Sequence, residues 1–428
     1  MTRKTGRILF IFFVLIFLLV GVAAVFYSLG YRINFDNFKI QKTGGIYIKT
    51  HPRGVTIKIS GKIYPDASNL LQSGTLISNL TPKNYKVEID KDGYYPYYKN
   101  LAVQPSMVAE ILSVNLIPQK ITPLQLASAR GNTIIDSANN DNSFIIQNEK
   151  TGTYYLYDLS DQTKIVNLTS LYNSLRKSSK IKKITFVPFK PENFVVEDSS
   201  GIKIMDSSAL TLTTLTKTPV AWLLQNSNVY FIASKSISAT SSQLILSSYN
   251  LVFQNKSDIA SLPQNFSNSE ISAFKISGGN DKIAILDKTN TLFLFDTSKN
   301  TYIKLADNVK DFDFSPSSGQ LAYLTSDNAI NILFLKDFNG EITKKESDVV
   351  KFSLPPRENI QNITWYNDSM HLLVKYADSI KFMEINDLKP LNIAPLAGAI
   401  NQLYYNPRTN NLFFIANEGL QKIDFGSF

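Results

Sequence analysis

The sequence predicts an all-β protein hung on one apolar helix: a transmembrane helix, a small β-sandwich, then a β-propeller of about seven repeats. Three observations predict it. Residues 8–29 contain no charged side chain. From residue 44 onward, apolar and polar side chains alternate with a period of two, the signature of half-buried strands. Beyond residue 118 a plan of successive short strands recurs about every 44 residues, the length of a four-stranded propeller repeat.

The apolar run comes first. Ile8, Phe12, Leu15, Leu18, Val22, Phe26 and Leu29 mark its length. At 1.5 Å per residue it spans a hydrocarbon core of about 30 Å. Arg3, Lys4 and Arg7 precede it, and basic flanks stay on the cytoplasmic side. The expectation is a single-pass protein of the cell membrane: residues 1–7 a cytoplasmic tail, 8–29 the transmembrane helix, and the bulk of the chain extracytoplasmic. A cleaved signal peptide is the competing reading. Val22 and Ala24 fit the small-residue rule for a cut after Ala24, but the apolar core exceeds the usual length of about 7–15 residues.

Composition narrows the function classes. The chain has 428 residues and no cysteine. Disulfides, thiolate nucleophiles, lipid attachment at cysteine and cysteine-based metal sites are therefore excluded. The net charge of +9 comes from 44 Lys+Arg against 35 Asp+Glu, without a long basic run. Lys177, Lys180, Lys182 and Lys183 form the densest patch, read as a solvated loop or a contact for an anionic polymer or headgroup. No nucleic-acid recognition motif is present, and no nucleic-acid partner is expected.

Residues 30–43 read as a spacer leaving the membrane, and residues 44–118 as a small antiparallel β domain. Ile46 and Ile48, then Val55, Ile57 and Ile59, then Tyr85, Val87 and Ile89 alternate with polar neighbours. Turns are expected at Pro52-Arg53-Gly54 and Pro82-Lys83-Asn84. The strand–turn–strand run from Gly45 through Pro52 and Gly54 to Gly61 resembles the first half of a PEGA domain. Pro82, Tyr85, Gly93 and Tyr94 match its second half. Val55 stands where that family has Ala, and Asn84 where it usually has Gly; Asn tolerates left-handed backbone. The resemblance implies an envelope-associated β-sandwich for adhesion or spacing, without catalysis.

Residues 119–428 carry the repeats. Units start near 134, 184, 220, 271, 309, 360 and 400, and Ile121 to Leu126 is a candidate strand for closing the ring. The unit running from Asp313 through Ser315-Pro316 to Tyr323 resembles the repeat of TolB-like and WD-like propellers. Trp365 to Leu373 and Tyr405 to Leu412 look like degenerate copies. This resemblance speaks to architecture and not to ligand.

Chemistry is sparse. The two histidines, His51 and His371, fall in different domains and are read as surface or turn residues. Asp136, Asp158, Asp206, Asp287, Asp296 and Asp313 recur near strand ends as turn formers. Neither Asp311-Phe312-Asp313 nor Asn139-Asn140-Asp141-Asn142 completes a calcium-loop pattern. No catalytic residue, metal ligand or cofactor site is assigned. Tyr95, Tyr97 and Tyr98 are candidate surface-contact residues, because exposed tyrosines stack on sugars and adapt to partners.

The sequence therefore predicts a non-enzymatic bacterial envelope protein in which the PEGA-like module spaces a propeller that binds a protein or a cell-wall or surface polysaccharide. Two alternatives stand beside it: an extracytoplasmic sensor subunit of a signalling complex, and a glycan-active propeller enzyme built on carboxylates.

Overall fold

The computed structural model describes residues 3–34, 39–69, 72–127, 132–138, 140–160, 165–176, 179–217, 219–237, 242–263, 271–355, 359–398, 400–416 and 419–428. Lys177 and Asn139 lie outside the described residues.

The chain opens with α1 (Arg3–Ser28), whose 26 residues span about 39 Å. It is long and apolar enough to cross a membrane, which fits either a membrane span or a signal peptide. Ile8, Phe12, Leu15, Leu18, Val22 and Phe26 project from it, and Leu29 follows in the turn; all are exposed. Within the segment read as a spacer, β1 (Tyr31–Asn34) and β2 (Lys39–Lys42) pair as an antiparallel hairpin.

Seven strands then build a small module: β3 (Gly44–His51), β4 (Thr56–Ile59), β5 (Lys62–Pro65), β6 (Thr75–Leu80), β7 (Asn84–Asp90), β8 (Tyr97–Ala102) and β9 (Val108–Asn115). They form a three-stranded sheet, β6-β3-β9, and a four-stranded sheet, β5-β4-β7-β8. The apolar positions of the alternation meet between the sheets: Ile46, Ile48, Ile57, Ile59, Val87, Ile89, Ile111 and Val114 are almost fully buried. The expectation of a wholly antiparallel domain needs correction, because β3 and β9 run parallel. They are distant in sequence, so no hairpin dictates their direction. Asn84 opens β7 without a positive φ; among the described residues the module's left-handed glycines are Gly54, Gly61 and Gly93, with φ of 72°, 88° and 80°, and Ser60, Asn79 and Ser106 are left-handed as well.

The remaining chain is a β-propeller. Among the described residues it contains seven four-stranded antiparallel sheets. The first six span 132–167, 183–216, 221–261, 271–306, 309–353 and 360–398. The seventh combines 400–424 with β10 (Leu124–Ala127). The inner strands are Asn132–Ser137, Lys183–Val187, Ala221–Gln225, Ile271–Ile276, Val309–Phe314, Ile360–Trp365 and Ile400–Asn406. The middle strands of the fifth and sixth sheets are largely buried on both faces. Every residue of His371–Tyr376 and of Ala329–Phe334 is buried, which explains why their sequences lose strict alternation. The ring closes where β10 pairs with Gly419–Asp424, joining the start of the propeller to its end. The closing strand is thus Leu124–Ala127 rather than 121–126. One short helix, α2 (Leu168–Leu175), interrupts the β pattern between the first two sheets, capped by Asn167, whose Oδ1 accepts from the Ser170 N–H at 2.9 Å.

Candidate functional site

Inner strands of neighbouring sheets are joined by side chains reaching into the next backbone. The Gln402 amide exchanges two hydrogen bonds with the Ile134 backbone, both at 2.6 Å. The Asp136 carboxylate accepts from Thr185 Oγ1, from the Phe186 N–H at 2.8 Å and from the Tyr404 hydroxyl at 2.9 Å, so one residue ties three sheets. Asp311 accepts from the Ile363 N–H at 2.9 Å, and Asp313 from the Trp365 N–H at 3.3 Å. Burial raises the Asp136 carboxyl above the usual range despite these donors. It does the same to Asp311, although the neighbouring Lys275 opposes it.

These strands surround a cavity of about 870 Å³. It is lined by both tryptophans of the chain, Trp222 and Trp365, with Leu223, Phe314, Pro316 and Pro407 among the apolar groups. Its charged groups are hydrogen-bonded, and Lys275 and Asp313 form an ion pair. The Lys275 Nζ donates to Asp313 at 2.9 Å; burial opposes its charge, and Asp313 and Asp311 outweigh burial and hold its pKa above the ordinary value. The Lys183 Nζ donates to the Trp222 carbonyl at 2.7 Å and lies 4.3 Å from the Trp222 ring centroid. The Trp222 indole N–H donates to Glu197 at 2.6 Å. Lys183 therefore belongs to the seam between the second and third sheets. Among the described residues no three His, Asp or Glu side chains converge as a metal site. The arrangement provides a mixed apolar and hydrogen-bonding channel fit for an extended chain or a side chain inserted from outside.

Beside the channel the small module is bolted to the fifth and sixth sheets. The Lys99 Nζ donates to Glu384 at 2.6 Å, and the Tyr97 hydroxyl donates to the same carboxylate at 2.7 Å. Burial, then Glu384, raises the Tyr97 phenol well above its usual value. The Asn392 side chain pairs with both backbone groups of Tyr98, at 3.0 and 2.9 Å. The Ser113 Oγ and the Leu112 N–H donate to Glu341. The Asn115 Nδ2 donates to Asp368 at 2.9 Å.

This joint corrects two expectations. Tyr97 is no surface residue: it is buried at the joint, and Tyr95 packs partly buried against the sixth and seventh sheets, leaving Tyr98 exposed. His371 is buried, not in a surface turn. Its Nδ1 lies 2.7 Å from Asp368, and its ring stacks on Phe382 at 4.4 Å. Burial opposes its charge, but Asp368, Glu384 and Glu341 together raise its pKa above 6.5. Of the motif positions, Tyr85 is buried with its hydroxyl donating to the Thr81 carbonyl, Tyr94 bridges to Pro118, and Pro52 and Pro82 flank the turns at one end and the other of the module. The acids read as turn formers divide: Asp206, Asp287 and Asp296 accept from backbone N–H groups of their own turns, whereas Asp136 and Asp313 hold seams.

The NUP159/214 β-propeller family matches residues 222–391, less than half of the chain. No curated protein matches the sequence. A chain of a crystal structure of the mitotic checkpoint complex is similar in shape, with 13% identity over 74% of this chain and 99% of that chain and a TM-score of 0.49. The Cps50 (Swd1) β-propeller domain of Myceliophteria thermophila covers 71% of this chain and 99% of its own at 9% identity, with a TM-score of 0.46. The family match and the sheet order both make this region a β-propeller.

Proposed function

We propose that this protein is a non-enzymatic, single-pass cell-envelope protein that holds a propeller off a membrane and binds a protein or surface polymer at the propeller's channel mouth. Each four-stranded sheet is read as one of seven blades, and residues 44–118 as a PEGA-like spacer. The observation that carries this reading is a strut. β3 and β9 both start beside the hairpin that follows α1: the Thr43 N–H donates to the Gly30 carbonyl, and the Gly45 N–H to the Met107 carbonyl. Both strands end on the propeller side, where Asn115 bonds Asp368. Eight residues of strand span about 26 Å, so the module separates the helix from the propeller by roughly its own length. Its buried joint makes module and propeller one arm rather than two beads on a linker. The channel, with hydrogen-bonded charges and mixed lining, offers recognition rather than an activated nucleophile.

The test uses the full chain in its native membrane. Ser272 is exposed and lines the channel, so Ser272→Trp places a bulky ring in it and obstructs it. Crosslinking is expected to capture a protein or polymer with the wild type and to lose it with Ser272→Trp. Equal capture by both refutes the channel mouth as the binding site. Protease added from outside is expected to cut the propeller and spare residues 1–7.

A further inference from the structure

Most of the described non-glycine residues with positive φ are Asn, Asp or Ser, short polar types whose side chains hydrogen-bond the backbone of their own turn. Three are not: Phe189 at 62°, Leu210 at 53° and Gln254 at 53°. All three sit at turn tips of two adjacent sheets. Phe189 lies between the first and second strands of the second sheet, and Leu210 between its third and fourth. Gln254 lies between the third and fourth strands of the third sheet. In an antiparallel meander these turns project from the same end of the sheets.

The tips are also apolar. Phe189 is 78% exposed, Leu210 55%, Val252 65% and Phe253 78%. The fourth sheet shows that the turn does not require this. There Asp296 Oδ1 accepts from the Ser298 and Lys299 N–H groups, and Asn300 takes the left-handed position at 49°. In the second sheet Asp206 Oδ1 accepts from Ser208 and Ala209, and Leu210 stands where Asn300 does. In the third, Asn250 Oδ1 accepts from Val252 and Phe253 ahead of Gln254. One turn design thus occurs three times. Twice it presents large apolar side chains to solvent, once with a branched residue in a backbone region that asparagine occupies without strain.

The small module docks on this same end. Its partners Asp368, Glu341 and Asn392 lie in first–second or third–fourth connections of the fifth and sixth sheets. In a ring of seven, those sheets lie across the axis from the second and third. The face with the apolar tips is therefore the face from which α1 is hung.

We propose that the arm tilts over on the hairpin that follows α1 and that Phe189, Leu210, Val252 and Phe253 form a ridge that docks on the lipid surface crossed by α1, so that the propeller's rim meets the bilayer at a second point beside the tether. The inference rests on reading α1 as a membrane anchor. The tips are convex knobs rather than a groove, and a fluid interface accepts knobs without a complementary shape. Basic groups accompany them: Lys190 is exposed beside Phe189, and the Arg408 guanidinium lies 5.3 Å from the Phe189 ring centroid. Both suit anionic headgroups.

The absence of cysteine makes the test direct. Full-length Phe253→Cys, Leu210→Cys, Ile237→Cys and Gly21→Cys are each labelled with an environment-sensitive dye. They are then reconstituted in phosphatidylcholine–phosphatidylglycerol vesicles with and without doxyl-labelled lipid. Dyes at 210 and 253 are expected to shift to the blue and be quenched by doxyl lipid. The dye at 237, exposed at the opposite end of the third sheet, should stay water-like and unquenched. A blue-shifted but unquenched dye at 253 means a protein or second-copy contact and overturns the proposal, as does a water-like dye. Quenching at 21 without quenching at 253 refutes the ridge alone; quenching at neither refutes the anchor reading with it. Leu210→Asn supplies the second measurement: it should raise thermal stability while weakening quenching at 253. A rise in stability with quenching unchanged counts against Leu210 as part of the ridge.

Discussion

The Lys99 ammonium of the small module lies 2.6 Å from the Glu384 carboxylate of the propeller, and neither side chain is accessible to solvent. The carboxylate also accepts from Tyr97 at 2.7 Å and from the Asn392 Nδ2 at 3.0 Å, and Lys99 also donates to the Leu388 carbonyl at 2.9 Å. A buried pair so fully bonded is worth little against an apolar replacement of both partners, yet losing one partner strands a charge.

Glu384→Gln is therefore expected to cost about 3–5 kcal/mol and to uncouple the module from the propeller. Chemical unfolding should split into two transitions where the wild type shows one. The double variant Lys99→Met/Glu384→Leu should recover much of the loss. An unchanged single transition in Glu384→Gln refutes the joint as the source of rigidity.

His371 makes the same joint sensitive to pH. Asp368, Glu384 and Glu341 raise its pKa in the folded state, so its contribution to stability is complete below its ordinary value of 6.5 and is lost as pH rises through the raised value. Its partner Asp368 is held below the usual carboxylate value against burial, by His371 first, so the Asp368 contribution is lost only as pH falls through that depressed value. The chain has two histidines, and His51→Gln assigns their proton resonances. His371 is expected to titrate above 6.5, and the stability difference between wild type and His371→Gln should shrink as pH rises past that point. A titration at or below 6.5 contradicts the expected coupling.

The strands were legible in the sequence because burial on one face leaves a local trace. Inner strands begin at 132, 183, 221, 271, 309, 360 and 400, within two residues of the repeat starts read from apolar runs. The joint left no such trace. Lys99 and Glu384 are 285 positions apart, and each looks like an ordinary polar residue on an alternating strand. His371 follows the turn-like run Asn367-Asp368-Ser369, which masks its burial under the module. α2 was missed because its eight residues are too few to show helical period; Asn167 as cap is the one local signal. The parallel pairing of β3 with β9 depends on the whole module and has no local signature.

Asp136 bonds residues of the second and seventh sheets from its place in the first. Asp136→Ala orphans the Phe186 N–H and the Tyr404 hydroxyl, each at a cost of about 1–3 kcal/mol where buried. Asp136→Asn keeps an acceptor and removes a charge that burial disfavours, so it should be much milder. Equilibrium unfolding of the two variants compares them, and equal losses contradict the bonding role.

Closure of the ring depends on β10. Its residues pair with Gly419–Asp424, and Leu126 packs against the cluster of Phe144, Phe413 and Leu420 that joins the first and seventh sheets. The seventh sheet draws its other three strands from 400–424, so without β10 the strand Gly419–Asp424 becomes an unpaired edge. A chain starting at residue 132 is therefore expected to lose cooperative unfolding of the propeller and to aggregate with time. A chain starting at residue 119 should keep the seventh sheet. Leu126→Asp in the full chain should mimic the cut by placing a charge in the cluster, and hydrogen exchange should show the loss first in 411–424. Protection there equal to that of the wild type, in both the shortened chain and Leu126→Asp, refutes the closing role.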